Sequence, residues 1–127
     1  MNVALVTAMI TSAATNNRLA AKPSARTAHG RRAQAYAEAE ALAAPILADL
    51  PKDRTALLRV HSEMSAYHKR CQTQHDLAAD AYEAGKGDHY RARAYRWFAQ
   101  GHAAYLVAVE CWERATGEKA RRIGGRA

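Results

Sequence analysis

From about residue 54 to 116, apolar residues recur every three or four positions, with one interruption at Gly85-Lys86-Gly87-Asp88. On the near side of that break the seam reads Leu57, Val60, Met64, Tyr67, Cys71, Gln74, Ala78 and Ala81. Such spacing lays side chains along one stripe of a helix. Beyond the break it reads Ala94, Phe98, Gly101, Tyr105, Ala108, Trp112 and Ala115, and Thr116-Gly117 ends the pattern. A turn this short makes the two helices antiparallel neighbours. Folding about residue 86 is then expected to set Cys71 beside Gly101 and His102, Tyr67 beside Tyr105, and Val60 beside Trp112.

The second of these helices is too apolar for one partner, because Tyr95, Leu106, Val107 and Val109 widen its stripe. A further helix over residues 31–50 can cover that face, giving a three-helix bundle; a second copy of the chain is the other solution. Pro45 has no amide proton and crowds the carbonyl of Ala41, so a kink or restart is expected there, with Ile46, Leu47 and Leu50 forming a short apolar turn. Pro51 suits the first turn of the next helix, with Asp49 or Asp53 as its cap, and Asp88 is the expected cap of the last. The prediction is therefore all-α: a long hairpin (about 53–85 and 88–116) packed by a shorter helix (about 31–50). Residues 1–30 read as a basic arm with a brief helix near Val3 to Ala14, residues 31–117 as the helical domain, and 118–127 as a basic tail.

Composition refines this picture in two ways. The chain has 127 residues, enough for one core, and is 49% hydrophobic; but alanine supplies much of that fraction, and there are only one Phe and two Trp. Alanine favours helices and buries little area, so the core is thin and a homo-oligomer or protein partner would add stability. The formal charge of +7 is unevenly spread. Residues 1–32 hold Arg18, Lys22, Arg26, Arg31 and Arg32 with no acid, and residues 115–127 hold Lys119, Arg121, Arg122 and Arg126 against Glu118, which leaves the middle near neutral.

Basic ends suit phosphate backbones, where each neutralised phosphate releases counterions. No stretch approaches the roughly 18 apolar residues of a membrane span, and Val3 to Ile10 has no preceding Lys or Arg, so the expected location is cytoplasmic or virion-associated rather than secreted. Two cysteines, Cys71 and Cys111, are too few for a disulfide scaffold.

Two groups of residues could carry chemistry. Lys86, Arg91, Arg93 and Arg96 cluster at the turn, interleaved with His89, Tyr90, Tyr95 and Trp97. Cations in the first turns of a helix oppose its dipole, an arrangement that a docked anion would relieve; the plainer alternative pairs them with Asp80 and Glu83. The second group is His68, Cys71 and His75 on one helix face with His102 opposite, a set that could converge on zinc, or simply pack. His61, His68 and His75 also recur every seven residues, and a pH-sensitive interface is one reading of that line. Cys111 and His61 lack a positioned third group, and no phosphate-binding loop, nucleophile elbow or dinucleotide glycine pattern is present.

The run from Ala78 to Gly85, followed by Gly101-His102, resembles the helical hairpin of the uncharacterised domain that precedes Smr nuclease domains, and is loosely similar to one tetratricopeptide unit. The turn is about one helical turn too long for the first pattern, and a single unit is too few for the second. No functional residue is carried over. The expectation is a non-enzymatic binding protein that contacts nucleic acid or another polyanion through Arg31, Arg32, Arg121, Arg122, the turn cations and Trp97. The alternative is a structural or adaptor protein of a larger assembly, such as a phage or mobile-element component, docking through its apolar helical face.

Overall fold

The computed structural model describes the backbone of residues 28–118 and the side chains of residues 33–118. Three helices form it: α1 (Ala28–Ala48), α2 (Arg54–Glu83) and α3 (His89–Thr116). α2 and α3 make the long hairpin, and α1 packs on α3, so α3 is the central helix. The wide apolar face of α3 is thus covered within the chain. Leu77 is the large hydrophobic side chain left exposed among the described residues. The arm, the helix expected near Val3 to Ala14 and the tail beyond Glu118 lie outside the described residues.

α2 follows its sequence pattern closely. Leu57, Val60, Met64, Tyr67, Cys71 and Ala78 are buried, whereas Gln74 is exposed on the seam. The helix starts one residue after Asp53, whose carboxylate accepts from the Ala56 amide at 2.9 Å. Pro51 stays in the connection rather than in the first turn. At the far end Gly85 adopts φ 75°, the Lys86 amide donates to the Ala81 carbonyl at 3.1 Å, and the Gly85 amide donates to that of Tyr82 at 3.0 Å. This glycine cap satisfies carbonyls that the helix end would otherwise orphan, and it reverses the chain.

Three expectations are corrected. α1 begins at Ala28 and runs through Pro45 to Ala48 without restarting. Proline removes one hydrogen bond near the helix end, and the burial of Leu42, Ala43 and Ile46 in the core offsets that loss. Asp88 does not cap α3 through its side chain: its backbone is already helical (φ −67°, ψ −25°), so the carboxylate cannot reach back to the first amides. The Arg91 amide donates instead to the Asp88 carbonyl at 3.0 Å.

The third correction concerns the buried face of α3. Ala99, Gly101, Ala103, Ala104, Val107 and Cys111 are buried, while Phe98, Tyr105 and Trp112 are only partly so. Two neighbours compress α3 along its small residues and displace its aromatic rings to the shoulders.

Side-chain bonds pin the register of the hairpin. His61 Nδ1 lies 2.9 Å from the Ala108 carbonyl, and His68 Nδ1 lies 2.8 Å from that of Gly101. A carbonyl only accepts, so each imidazole carries its proton on Nδ1. Tyr67 meets Gln100 rather than Tyr105, its hydroxyl donating to Oε1 of that buried amide. Gln100 is the buried polar side chain among the described residues, and this bond satisfies its oxygen.

Cys71 and Cys111 are buried free thiols. Burial, the dominant cause in each case, pushes both from the ordinary 9.0 up to about 11. A thiol held protonated in the fold ionises more readily once unfolded. Its stabilising effect is therefore complete below pH 9 and is lost as pH rises toward about 11. Urea melts across that window should show falling stability. Substituting both cysteines with alanine should flatten the fall, although the smaller side chains lower stability at every pH.

Candidate binding groove

α3 presents Phe98, His102 and Tyr105 at spacings of four and three, which places the rings one above another along its shoulder. His102 stacks with Tyr105 at 5.7 Å between centroids and lies parallel to Phe98 at 6.2 Å. From α1, Tyr36 meets His102 edge-on at 4.8 Å and Phe98 at 5.2 Å. From α2, His68 lies 5.7 Å from Tyr105, and His75 lies 6.1 Å from Phe98. All three helices thus meet along one ladder of rings.

Two cavities open along this ladder. The larger, about 520 Å³, takes Tyr36 from α1, His75 and Tyr82 from α2, and Tyr95 and Phe98 from α3, with exposed Arg91 and Glu83 at its rim. The smaller, about 350 Å³, shares Tyr36, His75 and Phe98 with the first, so the two form one groove. Both volumes lie in the range of small-molecule sites.

The residues named for zinc, His68, Cys71, His75 and His102, all line the smaller cavity. Each also has a contact within the fold. His68 Nδ1 holds Gly101, His75 Nδ1 lies 3.1 Å from Asp76, His102 is stacked between rings, and the Cys71 thiol is held protonated by burial. Among the described residues no three His, Cys, Asp or Glu side chains converge as an ion would require.

At the turn, Lys86, Arg91 and Arg93 are exposed and Arg96 is half-buried. Neither Asp80 nor Glu83 forms an ion pair with them among the described residues. Two are held by aromatic faces instead: the Arg91 guanidinium lies 5.6 Å from the Tyr82 ring centroid, and that of Arg93 5.1 Å from the Tyr90 centroid. Such contacts restrain a guanidinium without neutralising it. His89 packs on the Tyr90 ring at 4.2 Å. Trp97 is half-buried against the core and lines the smaller cavity. The side chains of Arg31, Arg32, Arg121 and Arg122 lie outside the described residues.

Sequence reasoning missed the groove itself. Its signal was the four-three spacing of Phe98, His102 and Tyr105, which reads equally well as a core seam.

The fold defines a three-helix all-α protein with a ring-lined groove, and among its described residues no helix is long and apolar enough to cross a membrane. Comparison with known protein families, with curated proteins and with solved structures finds no match.

Proposed function

We propose that this is a non-catalytic binding protein for nucleic acid or a similar polyanion, engaged by Lys86, Arg91, Arg93 and Arg96 at the hairpin turn and assisted by the basic ends. The observation that supports this reading most is the state of the turn cations: Arg91 and Arg93 rest on tyrosine rings and pair with neither nearby carboxylate. They also crowd the start of α3, which has no acid in its first turn and no side-chain cap. Like charges at the positive end of a helix cost a few tenths of a kcal/mol or more, and a bound phosphate removes that cost.

Affinity for a mixed-sequence oligonucleotide should fall steeply with salt, the slope of log K against log salt reflecting the number of phosphates contacted. Replacing Arg91, Arg93 and Arg96 together by glutamine should lower that slope by about 2 to 3. These side chains are mostly exposed, so the fold should persist by circular dichroism. Absence of salt-sensitive binding by the full chain at low ionic strength would end the proposal.

A further inference from the structure

The larger cavity takes one turn cation, Arg91, into its lining, and the two together suit a ligand with an aromatic part and an anionic part. We infer that this cavity receives one unstacked base of a single-stranded nucleic acid, set against Tyr36, Tyr82, Tyr95 and Phe98 while the flanking phosphates lie on Arg91 and its neighbours. The inference rests on the polyanion reading above and narrows it to single strands.

Three observations carry it. The cavity volume of about 520 Å³ admits a flat heteroaromatic ring, and four of its lining side chains are themselves aromatic. Bases stack on such faces with little regard to sequence, because every base has a π-face. Second, Arg91 belongs to both features, standing at the rim while its guanidinium lies over the Tyr82 ring. A base entering beside Tyr82 therefore brings its own phosphate to a cation already in position.

Third, Glu83 also stands at the rim. A carboxylate there repels a phosphate from the interior and accepts hydrogen from an exocyclic amino group, as carboxylates do from cytosine N4. The neutral ring is thus admitted and the charged backbone is kept outside. Duplex DNA, whose bases are stacked and paired, offers no free ring, so an equally charged duplex should bind less tightly.

The test uses the full chain and fluorescence anisotropy with four probes of matched charge: a base-bearing single strand, the same strand made abasic, a duplex, and inorganic polyphosphate. The base-bearing strand should bind roughly tenfold or more tightly than its abasic counterpart, with a change in tryptophan emission because Trp97 lines the adjoining cavity. Tyr82→Leu keeps apolar bulk and removes the ring face; it should abolish the preference, bringing the base-bearing strand down to the affinity of the abasic strand for the same variant. Equal affinity for base-bearing and abasic strands, or for duplex, overturns base insertion and leaves the polyanion reading intact. A preference that survives Tyr82→Leu, in a variant shown folded by circular dichroism, overturns the assignment to this cavity. No salt-sensitive binding to any probe overturns both proposals.

Discussion

Met64→Ala is expected to destabilise the protein by about 2–5 kcal/mol, the range for truncating a fully buried long apolar side chain. Met64 is the largest side chain in the core with no measurable exposure, sharing its cluster with Val60 from its own helix and Val107 from α3. Much of the remaining core is alanine, which cannot move to fill the void. A domain of this size has only about 5–15 kcal/mol of net stability, so the loss should lower the melting temperature by roughly 10 °C or more. Met64→Leu conserves volume and should cost less than about 1.5 kcal/mol. Urea denaturation of the three proteins decides the matter: a Met64→Ala midpoint equal to wild type would show that this residue is not where the helices close.

The second large effect should come from adding a single methyl group. A Cβ built on Gly101 would lie 2.9 Å from Cys71 Cβ and 3.7 Å from His68 Nδ1. Cys71 Cβ is attached directly to the α2 backbone, so no side-chain rotation relieves the clash and the helices themselves must part. Gly101→Ala gains about 1 kcal/mol of helix propensity, whereas overpacking typically costs about 1–3 kcal/mol. Separation also strains the His68 bond to the Gly101 carbonyl. A net destabilisation of up to about 2 kcal/mol is expected.

Cys71→Gly removes the opposing carbon, so the double variant should be less destabilised than the sum of the singles by about 1–2 kcal/mol in a thermodynamic cycle. Additive effects would mean that the two backbones are not in close approach. Because His68, Cys71 and Gly101 all line the smaller cavity, Gly101→Ala should also disturb the adjoining groove.

The hairpin was legible in the sequence for a local reason. α2 faces essentially one neighbour, so its three-and-four spacing from Leu57 through Cys71 maps directly onto burial. Gly85 and Gly87 mark the reversal, and Gly85 does adopt the left-handed conformation that its position requires. α3 was less legible because it serves two neighbours: alanine and glycine occupy much of its buried face, and such residues give a periodicity analysis little contrast. His68, Cys71, His75 and His102, related by spacing on α2 and by the hairpin reversal, line one cavity. What each imidazole does depends on the carbonyl or ring facing it across the interface, which spacing does not encode.

By itself, the sequence determined the three helices, the place where the chain reverses and the concentration of cations at the bend, because periodicity, glycine and charge act over a few neighbouring residues. Only the tertiary structure decided that Pro45 is absorbed within α1, that the rings of Phe98, His102 and Tyr105 form a groove wall instead of a core, and that the turn arginines rest on tyrosines instead of carboxylates. Each of these outcomes is set by competition among surfaces distant in the chain. Packing two helices against the small residues of α3 settled that competition in favour of close backbone approach and moved the large rings to the edge.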